Sequence, residues 1–355
     1  MSELIINASE QSRLRRSLLA GVSAIAVTGC TSLLSTAQAD DTARPMLWIE
    51  LDGQYSRMQA SDPRFVPAFL PLSPFDGISH LNLEDGPRIS WDKGAKLTLQ
   101  PHGSDWFLVL GARYGKTSRS AFRDVHPTTS GLTKYSTKHY NAYQNLTSHS
   151  SESHVILDFQ VGKDVGIGRF GSNGTSVIDA GIRIAQFRAK SHAEIKSQPT
   201  NIGTYYTTIN KFSGSFDASR RFNGIGPSLS WEASANLWGN PRGGNITFDW
   251  GINGALLFGR QKSTASRSTA QNQYHYLHGA LVYRSSNASV RSKAVAVPNI
   301  GGFAGVSWRY PNAKVSFGYR ADFFFGAMDS GLDSRRTTDI GFHGPFASLS
   351  IGLGQ

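Results

Sequence analysis

The chain has 355 residues and a formal net charge of +11, with 37 glycines, 11% aromatic residues and only 17% charged residues. A soluble enzyme of this length usually carries more charge and fewer glycines and aromatics, and no mature segment holds the ~18 apolar residues that a transmembrane helix needs. A membrane protein made from this chain has to be a closed barrel, because only helices and barrels satisfy every backbone group in lipid.

The first segment reads as an export signal. Arg13, Arg15 and Arg16 form a positive region, Ser17 to Val27 an apolar one, and small residues at Ala37 and Ala39 precede the acidic pair Asp40 and Asp41. A rival reading stays open. Val27 to Cys30, "VTGC", resembles a lipobox in which Cys30 would be acylated. Cleavage after Ala39 is preferred; it makes 1–39 a signal peptide and 40–355 the barrel. It also removes the one cysteine, and with it any disulfide, thiolate metal site or thiol nucleophile. Three arginines and two glutamates leave with the leader, so the mature charge is +10. Export turns a basic balance away from nucleic acid and toward lipopolysaccharide or small anions.

Downstream, apolar and polar residues alternate in strand-length runs. "LWIELDGQYS" sends Leu47, Ile49, Leu51 and Tyr55 one way and Glu50, Asp52 and Gln54 the other. "HVILDFQVGK", "SVIDAGIRIAQ", "NITFDWGIN" and "KVSFGYRADFFF" repeat the pattern. Asp, Arg and Gly occupy the polar face, and aromatics such as Trp91, Trp106, Tyr114, Trp238, Trp308 and Tyr310 gather near segment ends. An apolar face toward lipid, a hydrated face inward and aromatic girdles are the signature of an outer-membrane barrel. A secreted sandwich with one wet face is the soluble alternative.

The expectation is all-β: a single antiparallel transmembrane β-barrel of about twelve strands (~10–14), with both termini periplasmic. The strands are placed near 46–57, 91–101, 105–116, 152–163, 175–189, 211–222, 224–237, 244–259, 272–285, 297–309, 313–325 and 342–353. Long connections at 58–90, 117–151, 190–210 and 326–341 are expected outside, and one of 58–90 or 117–151 is expected to fold inward. Short turns are placed at "PHGS", "RFNG" and "YPN". Each Gly-Pro, at 226–227 and 344–345, is assigned to strand entry.

Ionisable residues on the polar face are the candidate pore lining: Lys96, Arg113, Arg183, Arg220 and Arg320, with Asp158, Asp179, Glu232, Asp249 and Asp322. Turned toward lipid at the midplane, each Arg or Lys would cost ~2–4 kcal/mol. No GxSxG elbow, HExxH helix or phosphate loop occurs. His149, Ser150, Ser151 and Glu152 read as a solvated loop rather than a hydrolase site. His275 and His278 would face opposite sides of a strand, so they are not a metal pair.

Several stretches look familiar in their order. "WIELDGQYS", "VILDFQVGK" with "AGIRIAQF", "FNGIGPSLSWEAS", "VPNIGGFAGVSWRYPNAKVSFGYRADFFF" and "HGPFASLSIGL" resemble the pore-forming outer-membrane β-barrel family related to the Legionella major outer-membrane protein. The resemblance spans nearly the whole mature chain and implies a Gram-negative outer-membrane barrel that conducts small solutes. The chain departs from such barrels by ending Leu353-Gly354-Gln355 rather than on an aromatic. The expected function is porin-like passive diffusion of small hydrophilic solutes, without catalysis or cofactor and with a weak anion preference. Expected partners are outer-membrane lipid and lipopolysaccharide, the barrel assembly machinery and small solutes, with self-association open and no nucleic acid. A plugged structural or adhesive surface barrel is the alternative, and an outer-membrane lipid hydrolase a third reading.

Overall fold

Alternating runs become strands because each backbone group must find a partner in a neighbouring strand. In the computed structural model, which describes residues 47–60, 88–101, 104, 106–125, 143–165, 175–198, 209–240, 244–275, 279–331 and 335–354, they form one closed antiparallel barrel. The strands are β1 (Leu47–Ala60), β2 (Arg88–Leu99), β3 (Trp106–Val125), β4 (Tyr143–Asp164) and β5 (Thr175–Gln198). They continue as β6 (Ile209–Asn240), β7 (Gly244–His275), β8 (Gly279–Arg309), β9 (Ala313–Asp329) and β10 (Thr337–Leu353). Each pairs with its sequence neighbour, and β1 pairs with β10 from Leu47↔Leu353 to Ala60↔Ile340, so no edge remains. Residues 1–46, with the expected cleavage site at Ala39 and the alternative at Cys30, lie outside the described residues.

The outward face is strongly apolar. Leu51, Ile252, Ile300 and Phe317 are each 60% or more exposed, a pattern that water would penalise and lipid rewards. Trp106, Trp238, Trp308 and Tyr310 ring the rim where β1 begins and β10 ends, and Tyr55, Trp91 and Tyr114 sit at the other boundary.

The count is ten strands, not the expected twelve. Residues 211–222 and 224–237 are one strand, β6, and "RFNG" is not a turn. Arg220, Phe222, Gly224 and Gly226 keep an unbroken inward alternation. Gly224 is there for packing: a Cβ would strike the ring of Phe222. With that turn gone, β6 ends at Asn240 and β7 begins at Gly244 on the rim where β8 ends at Arg309 and β9 begins at Ala313.

The expected strand 272–285 straddles a reversal, with His275↔Gly279 as the last pair of β7 and β8. Stretches read as loops, 117–125, 143–151, 190–198, 260–271 and 286–296, belong to strands. They are Ser-, Thr- and Asn-rich because strands β3 to β8 run beyond the apolar band, where the outer face meets water. Residues 61–87, 126–142 and 199–208 lie outside the described residues.

Neither Gly-Pro is at strand entry. Gly344-Pro345 lies inside β10, and Gly226-Pro227 inside β6, where the β6–β7 ladder skips from Ile225↔Phe258 to Ser228↔Ala255. Proline has no donor for that rung, and Gly226 lets the carbonyl of Leu256 approach where a Cβ would clash.

Candidate functional site

The inward positions of all ten strands build a layered interior. Lowest is a layer of ion pairs. Lys96 on β2 donates to Glu232 on β6 at 2.9 Å, and Arg113 on β3 to Asp322 on β9 at 2.5 Å. Arg183 on β5 forks onto Asp158 of β4 at 2.6 and 3.2 Å and also donates to Asn253, at 2.8 Å, and to Asn299. Arg320 reaches across the closure to Asp52 at 2.6 Å and lies over the Phe346 ring, and Lys314 meets Asp249 at 2.7 Å. Pairing is what makes charges such as Arg183 and Asp322, which are almost wholly buried, tolerable in a narrow interior.

These pairs surround a cavity of about 150 Å³. Lys96, Arg113, Asp158, Arg183, Glu232, Asp249 and Arg320 line it, and Asp322 joins through Arg113. Asp179 is inward, takes a hydrogen bond from Ser230 at 3.1 Å, and lies outside the cavity lining. Arg220 sits higher, toward the long-strand rim, and donates to the carbonyl of Ser330 at 3.2 Å. Glu50, Asp52, Lys314 and Asn253 also line it, without having been singled out as candidates. Their signal was present, since they share the parity of Gln54, Arg320 and Asp249.

Above the charges is an apolar layer that alternation did not reveal. Phe187 (1% exposed), Phe222 and Phe324 (both 0%) point inward with Leu257, Val297 and Phe342. Phe187 meets Phe324 edge-on at 4.7 Å and stacks on Phe222 at 5.9 Å. His154, 3.4 Å from Asp92, packs on Phe342 at 4.0 Å. The β9–β10 hairpin then closes over this layer. Gly326 takes a positive φ of 64°, and Ala327, Met328, Asp329 and Ser330 turn inward and are buried. Gln261 donates to the carbonyl of Gly326 at 2.5 Å, and Arg291 pairs with Asp329 at 3.0 Å. The inward-folding segment among the described residues is therefore this short hairpin; the middles of 58–90 and 117–151 are outside them.

The quartet 149–152 lies in β4, not in a loop. Glu152 faces inward and His149 outward, as period two dictates, so they do not converge. His149 instead meets Ser120 of β3 at 2.9 Å, and no carboxylate of the described residues is within ion-pair distance of it. Its cross-strand neighbour His192 lies 2.7 Å from Asp217, and that hydrogen bond raises its pKa above the ordinary 6.5. Among the described residues no group of three His, Cys, Asp or Glu could hold a metal. His278 lies outside them, as does the side chain of His275.

Residues 105–352 match the family described as the Legionella pneumophila major outer membrane protein precursor. No curated protein matches the sequence. Among solved structures, the transport unit of the Escherichia coli autotransporter AIDA-I is 10% identical, with 94% of this chain and 98% of that one covered and a TM-score of 0.21. A TodX monoaromatic hydrocarbon channel mutant is 10% identical, covering 89% and 91%, with a TM-score of 0.23. The Escherichia coli outer membrane protease OmpT is 10% identical, covering 89% and 99%, with a TM-score of 0.17. At such scores none of these likenesses bears on what the chain does.

Proposed function

We propose a function from one premise: the chain belongs to the Legionella pneumophila major outer membrane protein family and is an outer-membrane β-barrel. It acts as a narrow, porin-like pore for small hydrophilic solutes, with both termini in the periplasm and the long strands outside. The ion-paired cavity is its conduction path, and the apolar layer with the β9–β10 hairpin is its constriction. The observation that carries the reading is the cavity itself: five acids and five bases line it, a polar wall that a water-filled path uses and an inert core does not need. Ten strands leave far less room than a 16–18-strand porin, so the unitary conductance is small. Acids and bases balance in the lining, so the anion preference expected from net charge shrinks to a weak one.

Planar-bilayer recording of the full mature chain tests this. Discrete steps are expected, and Phe187→Ala with Phe342→Ala should enlarge them. The complete burial of Phe222, Phe324, Leu257 and Val297 favours a second reading, a plugged structural or adhesive barrel. Silence of both the native chain and the double variant would decide for it.

A further inference from the structure

The outward face of β3 to β7 changes character within two rungs of the ladder. The last apolar rung is Ala112–Leu157–Ile184–Ile225–Phe258. One rung further out comes Tyr114–Val155–Gln186–Asn223–Arg260. The next is Lys116–Ser153–Arg188–Arg221–Lys262, with four cations in one cross-strand row. Lys190 stands one rung above it. Arg188, Arg221 and Lys262 are directly opposite one another on adjacent strands, about 4.8 Å apart per strand. Like charges so placed destabilise a sheet.

The row holds no acid. Lys116, Arg221 and Lys262 have no carboxylate within ion-pair distance among the described residues. The nearest acids on this outer face, Asp217 and Glu194, lie higher and pair with His192 and Lys196. Lys116, Lys262 and Arg260 are exposed. A row in which no acid of the described residues offsets Lys116, Arg221 or Lys262 calls for an external anion. Its height selects the anion: it sits directly above the apolar band, where lipid headgroups meet water.

We propose that this row binds the phosphorylated headgroup of an outer-leaflet lipid. The acyl chains lie along Ile225 and Phe258 below, and the phosphates bridge Arg221, Lys262 and their neighbours by charge-assisted hydrogen bonds. The assignment rests on the outward orientation of the long strands, not on the pore, so bilayer silence leaves it standing.

Native mass spectrometry of the full chain in detergent tests it, titrating diphosphorylated lipid A, its dephosphorylated form and inorganic phosphate. Arg221→Gln with Lys262→Gln should weaken lipid A retention about thirtyfold, the factor that two surface cations at an anionic leaflet carry. Lys163→Gln with Lys196→Gln, an equal charge loss off the row, should leave it unchanged. Equal retention by the row variant, or equal retention of dephosphorylated lipid A by the native chain, overturns the proposal. Displacement of the lipid by millimolar phosphate overturns the lipid assignment and marks a small-anion site. Heat-induced unfolding without lipid supplies an independent readout. The row variant should unfold at a higher temperature than the native chain because repulsion is gone, and a lower temperature counts against the proposal.

Discussion

Arg183 and Lys96 show how differently two inward cations weigh. Arg183 is buried and divides its donors among Asp158, Asn253 and Asn299. Arg183→Met leaves Asp158 charged without its fork, so we expect a loss of about 3–5 kcal/mol in folding stability. The Lys96–Glu232 pair is a third exposed on each side, so Lys96→Met should cost less than about 1 kcal/mol. Denaturant-dependent folding into lipid vesicles measures both, and equal losses would refute the distinction. His192, on the outer face beyond the apolar band, makes a pH prediction. Its pKa is raised by Asp217, so the stability it adds is full below the unfolded value near 6.5 and fades as pH rises through the higher folded value. The side chain is nearly half exposed, so the effect on stability is slight and the titration itself is the better measure. Nuclear magnetic resonance should place its midpoint above 6.5, and Asp217→Asn should bring it down. A midpoint at or below 6.5 in the native chain contradicts the assignment. The inward set was legible at this scale because a charge cannot face lipid; the phenylalanines were not, because an apolar side chain is tolerated on either face.

Strand β6 carries the lesson at the scale of the element. Asn223-Gly224 has the composition of a turn, and only the parity of Arg220, Phe222 and Gly226 says that the chain runs straight through. A single residue inserted after Asn223 flips every side chain on one side of it to the other face, exposing Phe222 and Arg220. That variant should lose the heat-modifiable folded band on gels, whereas an insertion beside Asn312, in the turn between β8 and β9, should keep it. A folded band for both would restore the turn. Membrane strands were readable because lipid imposes a clean alternation. Their extensions, such as "KSTASRSTAQNQ" in β7, were not, since water accepts polar residues on the outer face and the sequence then looks like loop.

At the scale of the molecule, strand lengths define an orientation. β1 and β10 have 14 and 17 residues, whereas β7 and β8 have 32 and 31. One side of the rim therefore rises as a wall, and the topology proposed above puts this polar wall outside the cell. Ser266→Cys, on that wall, should react with a membrane-impermeant maleimide on intact cells, and Asn312→Cys should not. The opposite result would invert the topology.

The uneven strand lengths also set an order of events in time. Long hairpins such as β7–β8 can zip residue by residue from one turn, while β1 and β10, at opposite ends of the strand order, are expected to meet last. The joint between them pairs the strands farthest apart in sequence, so it is expected to be the latest to form. Gly344 lies on this joint, close against the carbonyl of Tyr55, so a bulkier residue there obstructs the final step while leaving the earlier hairpins intact. Such a molecule would stall as an open, curved sheet with two live edges, held by whatever machinery inserts it, and its fate would be degradation rather than a leaky pore.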